Sequence, residues 1–181
     1  MARLHARGIH EGFLATLGEP FLTLLYEAMA SSDRAVLLVA RTGTGAVAGF
    51  VAGAAHPGAF YREFLLRRGV RAAARLAPRA VRPQVARRIW ETLRHLGAEG
   101  GGGPELLSIA VGDRGRRSGT GTALARGLED ALGAGGASRL VVVVAERNAP
   151  ARAFYERLGF RPARTLEVHR GERSIRYEKP L

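Results

Sequence analysis

The sequence predicts an α/β fold built on a mixed, mostly antiparallel sheet flanked by helices, and three observations carry that expectation. Two apolar runs at 35–41 and 46–53, joined by Thr42-Gly43-Thr44-Gly45, have the composition of a β-hairpin. A third apolar run, Leu106 to Val111, ends in a glycine-rich stretch and gives way to helical periodicity from about Gly121 to Leu132. The continuous run Arg139-Leu140-Val141-Val142-Val143-Val144-Ala145 then reads as a strand buried on both faces.

In chain order, the apolar residues Phe13, Leu14 and Leu17, then Phe21, Leu24, Leu25 and Ala28, recur at helical spacing from His10 to Ala30. They are interrupted at Gly18-Glu19-Pro20. Proline can open a helix but not continue one, so two short helices with a bend are expected. The hairpin follows. From Phe60 to Leu96 the chain is helix-compatible, with breaks expected at Pro78 and Pro83, and it carries ten arginines against Glu63 and Glu91. His56-Pro57-Gly58 and Gly100-Gly101-Gly102-Gly103-Pro104 bracket this segment, which reads as a basic helical insertion over about 57–104, between strands 3 and 4 of one domain covering 1–181. Asn148-Ala149-Pro150 opens a helix through Leu158 that Gly159 stops. A last hairpin, 165–168 and 174–178, turns around Arg170-Gly171-Glu172.

The 181 residues suffice to bury a core without cross-links. Cysteine is absent, which excludes disulfides, thiolate metal sites and a cysteine nucleophile. The formal charge is +12 and its basic side is nearly all arginine, Lys179 being the only lysine. Such a charge suits an anionic partner, whether nucleic acid, anionic lipid or a phosphorylated small molecule, and equally reflects GC-rich codon usage. Residues 1–8 lead into no long apolar run, and no stretch is long enough to span a bilayer; the expectation is a soluble, cytoplasmic protein. The histidines have no metal-ligand spacing, so no metal is expected.

The stretch Arg116-Arg117-Ser118-Gly119-Thr120-Gly121 lies where a strand enters a helix. Free N–H groups and the helix dipole make such a junction a phosphate site in principle. Glycines at 119 and 121 allow close approach, and Arg114, Arg116 and Arg117 add charge. It is neither a P-loop, which needs a lysine, nor the dinucleotide fingerprint, whose third glycine position is Leu124. An ordinary turn with surface arginines is the alternative.

The order strand, Arg116-x-x-Gly119-x-Gly121, helix, buried strand, Asn148, then Phe154-Tyr155-Glu156-Arg157-Leu158-Gly159-Phe160 resembles the GNAT superfamily of N-acetyltransferases. The first part matches that family's Q/R-x-x-G-x-G/A signature and the second its N-x-x-A…FY-x-x-x-GF ending. The likeness is specific over about 105–164 and consistent over 10–53. It implies a GNAT-like sheet and an enzyme moving an acetyl group from acetyl-CoA to a primary amine. Backbone groups of Ile109 and Val111 would then hold the pantetheine arm. The amides of Arg116, Arg117, Ser118, Gly119, Thr120, Gly121 and Thr122 would hold the pyrophosphate.

By the same resemblance Asn148 either caps its helix or bonds the cofactor arm, two compatible roles. Tyr155, two helical turns on, is the candidate acid for the departing thiolate, with a core aromatic as the alternative. Glu105 is the candidate base, or else a solvated strand end, and His56 is the next candidate. The basic insertion, with Phe60, Phe64, Leu65, Val85, Ile89, Trp90 and Leu93, suggests a cover over the acceptor site or a homodimer element; weak contact with an anionic membrane is a further option. Two rival functions are a silent acyl-CoA-binding sensor and a basic nucleic-acid-binding protein. The second lacks interleaved aromatic platforms, so no nucleic acid is expected. The opening Gly12-Phe13-Leu14 and Leu17-Gly18-x-x-Phe21-Leu22 look like some bacterial GNATs of polysaccharide or amino-sugar metabolism. The acceptor is open.

Overall fold

The computed structural model describes residues 1–9, 14, 17–80, 103–115, 118–169 and 172–181, with backbone alone at 78–80, 114, 168, 169 and 172. The expected helix start at His10 to Phe13, the insertion from Val81 to Gly102 with Val85, Ile89, Trp90 and Leu93, the Arg116-Arg117 pair and the Arg170-Gly171 turn lie outside the described residues.

Among the described residues, the helices are α1 (Ala2–Gly8), α2 (Glu19–Ala30), α3 (Pro57–Ala80), α4 (Thr120–Ala134) and α5 (Ala149–Arg157). The strands are β1 (Ala35–Arg41), β2 (Val47–Ala54), β3 (Glu105–Val111), β4 (Arg139–Ala145), β5 (Arg161–His169) and β6 (Glu172–Pro180). They form one sheet in the order β1-β2-β3-β4-β6-β5, antiparallel throughout except for the β3–β4 pair. The mixed α/β class expected from sequence holds.

Three details depart from expectation. Residues 2–8 form a helix whose inward residue is His5, a polar side chain that gives apolar periodicity nothing to register. Because no described strand precedes Ala35, the basic segment enters between the second and third strands, one place earlier than expected. Helix α3 runs through Pro78 to Ala80. The ring removes only one backbone bond, toward the Ala74 carbonyl.

Each face of the sheet carries its own core. On one side Phe21, Leu22, Leu25, Tyr26 and Met29 of α2 and Phe60 and Phe64 of α3 pack on Phe50, Ala52 and Ala110. On the other, Leu124, Leu128 and Leu132 of α4, spaced by four, pack with Tyr155, Phe160 and Tyr177 on Val51, Leu140, Val142 and Val144. Helix α4 lies close on the sheet because position 53 has no side chain: a Cβ there would sit 2.8 Å from Leu128 and 2.9 Å from the Glu105 carbonyl. Proline starts α2 from the Gly18 N-cap, and Gly159, at φ +92°, ends α5, where the Phe160 amide donates to the Tyr155 carbonyl at 3.0 Å.

Candidate active site

The site begins with a fault in the sheet. On β2, Ala52 pairs with Ser108 and Gly53 with Leu106, leaving Leu107 as the extra residue of a β-bulge. Strands β3 and β4 pair at one position, Glu105 with Val141, where the Val141 amide donates to the Pro104 carbonyl at 2.9 Å. Beyond it they diverge. Val143, expected to be buried on both faces, is therefore 36% exposed. Gly112 donates to the Ala48 carbonyl of β2 at 2.8 Å, so by strand alternation the N–H and C=O groups of Ile109 and Val111 point the other way, into the gap. Their side chains pack toward α4.

At the end of β3 a short 3-10 turn, Asp113–Gly115, leads to Gly119, the N-cap of α4, in the left-handed region at φ +80°. Gly119 has no side chain to cap this helix, so among the described residues the amides of its first turn lack that partner. A Cβ at Gly119 would meet nothing within 4 Å, so the loop presents bare backbone to open space. One at Gly121 would stand 3.5 Å from Phe154 and from Val111, so those side chains wall the first turn. Ser118 Oγ donates to the Gly115 carbonyl at 2.8 Å and lies 2.7 Å from Thr120 Oγ1, which fixes the loop's curvature. Thr122 lies in the same first turn, half-buried.

From the far side of the gap comes α5. Asn148 Oδ1 accepts from the Ala151 amide at 3.1 Å, so the capping role is met directly. Tyr155 is buried, ringed by Phe154 at 5.3 Å and Phe160 at 5.5 Å in edge-on contacts, and its hydroxyl makes no hydrogen bond to a described residue. Burial pushes that hydroxyl well above the usual tyrosine range, which keeps its proton in place.

Glu105 sits where the two strands part, on the sheet face that carries α1, α2 and α3. Burial pushes its carboxyl up to about 7, against a smaller opposing pull from the Arg176 guanidinium. Glu105 is thus a half-buried carboxyl raised toward neutrality. Tyr61, in the first turns of α3, is half-buried and close enough to Glu105 and Tyr26 to feel both; desolvation, then Glu105, drive its hydroxyl upward. Arg176 of β6 lies opposite Val143 and its Nε donates to Glu178 at 2.8 Å. On the same face the bulged strand is pinned by a polar chain: Ser108 Oγ lies 2.9 Å from the Tyr26 hydroxyl, itself 2.6 Å from His5 Nδ1. Sequence reasoning missed Tyr61, Arg176 and this chain, which come from five separate elements. Only Ser108, a polar residue inside an apolar strand, offered a signal. His56, the second candidate base, is exposed between β2 and α3. Among the described residues no cluster of histidine, aspartate and glutamate could hold a metal.

Glu105, the open β3 edge and the glycine turn thus follow one another along β3 and the junction into α4. The model of the acetyltransferase (GNAT) family matches residues 6–160. The chain belongs to that family. No curated protein matches it. Of the solved structures, a GNAT-family protein from Desulfovibrio desulfuricans aligns with a TM-score of 0.60 at 20% identity, covering 99% of this chain and 91% of that one. Nourseothricin acetyltransferase aligns at 0.53 and 19%, covering 82% and 66%, so this chain spans just under two thirds of that protein. A Bacillus anthracis protein in complex with acetyl coenzyme A aligns at 0.57 and 14%, covering 86% and 68%. These likenesses show the GNAT fold. No described helix is long and apolar enough to cross a membrane.

Proposed function

We propose that this GNAT protein moves an acetyl group from acetyl-CoA to a primary amine by direct attack, with Glu105 as base and Tyr155 as acid. The observation that carries the reading is the slot between β3 and β4. Its open edge offers the backbone of Ile109 and Val111, and it leads to the uncapped first turn of α4. The residues present fit the donor: bare backbone at Gly119, Thr120 and Gly121 suits a pyrophosphate, and an unpaired strand edge suits an amide-bearing arm. When bound, acetyl-CoA supplies an acyl group activated as a thioester.

An ammonium has no lone pair, so Glu105 takes a proton from the acceptor, directly or through one water. A carboxyl poised at about 7 can do this at neutral pH. The amine nitrogen then bonds to the carbonyl carbon, the carbon–sulfur bond breaks as Tyr155 gives its proton to the departing sulfur, and the second proton shed by the new amide nitrogen returns through water to the Tyr155 oxygen, while Glu105 releases its proton to solvent. A hydroxyl held above its ordinary range stays protonated until a stronger base, the thiolate, forms beside it.

The test is a thermal-shift titration with acetyl-CoA, then turnover over a panel of amino sugars, amino acids, polyamines, antibiotics and peptide N-termini. Stabilisation by acetyl-CoA together with turnover on one class supports the reading. No shift sinks it, whereas binding without turnover on any amine favours the sensor. Tyr155→Phe should lower kcat by about 10²-fold or more at unchanged acetyl-CoA affinity. Unchanged kcat removes Tyr155 from the acid role.

A further inference from the structure

Helix α3 carries two apolar stripes and only one of them is used. Phe60, Phe64 and Ala72 are buried against α2 and the sheet, and Leu76 packs at the edge of the same core. The outward side repeats the pattern with Leu66, Val70, Ala73 and Ala77 at i, i+4, i+7 and i+11, all exposed. Leu66 is 82% and Val70 88% exposed, and Leu65 beside them 44%. Two large aliphatic side chains one turn apart stand this far into water with no described residue packed over them. Leu65, Leu66 and Val70 account for three of the five exposed large hydrophobic residues among those described.

The charges around this stripe have one sign. Helix α3 has six arginines and one glutamate. Glu63 is taken by Arg34 at 3.2 Å and Arg67 at 3.2 Å, and Arg68 pairs with Glu27 of α2 at 3.7 Å. Arg62, Arg71 and Arg75 are exposed and make no ion pair with a described residue. The outward face therefore combines a narrow aliphatic ridge with uncompensated arginines along a helix of 24 residues.

We propose that this face docks on an anionic lipid surface, the ridge of Leu66 and Val70 entering the headgroup region while Arg62, Arg71 and Arg75 meet lipid phosphates. Charge decides against a second copy of the chain, which would set the same arginines, Arg62, Arg71 and Arg75, against this face. The chemistry of the ridge decides against nucleic acid, because aliphatic side chains offer bases no stacking surface and the exposed stripe holds no aromatic residue. The docking face is independent of the cofactor slot.

The experiment is co-sedimentation of the full chain with vesicles of phosphatidylcholine alone and of phosphatidylcholine with about one third phosphatidylglycerol. The expected result is binding only to the anionic vesicles, falling as salt shortens the screening length. Arg71→Gln with Arg75→Gln should weaken it by about fivefold per arginine. Leu66→Ser with Val70→Ser should weaken it at least tenfold with the thermal midpoint unchanged, since neither side chain is in the core. Equal binding by all variants overturns the proposal, because the bulk charge would then suffice. A dimer that the Leu66→Ser, Val70→Ser variant dissolves overturns it in favour of self-association. Tighter retention on single-stranded RNA than on vesicles, unchanged in that variant, overturns it in favour of nucleic acid.

Discussion

Glu105→Gln tests the centre of the chemical proposal. The carboxyl stands at about 7 against an ordinary 4.5, a difference of about 3 kcal/mol between its two protonation states. A base must be ionised to act. With a midpoint near 7, about a tenth of the protein is competent at pH 6 and about nine tenths at pH 8. The expected profile of log kcat/KM against pH therefore rises with unit slope below about 7 and flattens above about 8. In Glu105→Gln the inflection near 7 disappears, activity at pH 8 falls by about 10²- to 10⁴-fold, and the residual rise follows the acceptor's own ammonium. Arg176→Met removes the cation that favours the carboxylate, so it should move the midpoint upward.

The sign for stability is opposite to that for activity. A carboxyl raised in the folded state binds its proton more tightly there than in the unfolded chain. Its contribution is complete below about 4.5 and is lost as pH rises through about 7. Glu105→Gln should consequently be as stable as the parent at pH 8, or slightly more so, which separates lost catalysis from lost fold. A midpoint near 4.5, or a profile that Glu105→Gln leaves unchanged, refutes the assignment.

Three further outcomes follow from the geometry. Gly119→Val forces a β-branched residue to φ +80° and should cost about 1–3 kcal/mol in chemical denaturation while raising the KM for acetyl-CoA, because the new side chain projects into the open space over the loop; unchanged KM would show that the turn does not carry the donor. His5 is held neutral by burial, its pKa lowered to about 4 from 6.5. The unfolded chain gains that proton first, so stability should fall by up to about 3 kcal/mol as pH drops from 6.5 to 4, and urea titrations of His5→Gln should lack this loss. Gly53→Ala puts a methyl group 2.8 Å from Leu128 and 2.9 Å from a carbonyl oxygen, and should destabilise by about 1–3 kcal/mol in the same assay.

Much of the fold was legible because its strands are β-branched and its turns carry their own chemistry. The β1–β2 hairpin, β3, β4 and α4 lie within a residue or two of where periodicity puts them, and α5 starts at its asparagine cap. Helix α1 was not, because a seven-residue helix whose inward residue is a histidine has no apolar period to detect. Pro78 misled for the opposite reason: its local rule is strong, yet α3 continues from Pro78 through Ala80 with one backbone bond lost.

By itself the sequence determined the parts: a glycine pair at a strand-to-helix junction, an asparagine cap, a tyrosine two turns beyond it and a glutamate at a strand start. These are local features, and local chemistry encodes them. Tertiary structure decided how the parts are placed. The bulge at Leu107 and the single Glu105–Val141 pairing open the sheet, and that opening depends on the register of β3 against two strands at once. The protonation of Glu105 depends on α3 and β6, which approach it from distant parts of the chain, and burial is a property of that approach. The unused stripe of α3 became visible only when the other stripe was seen to fill the core.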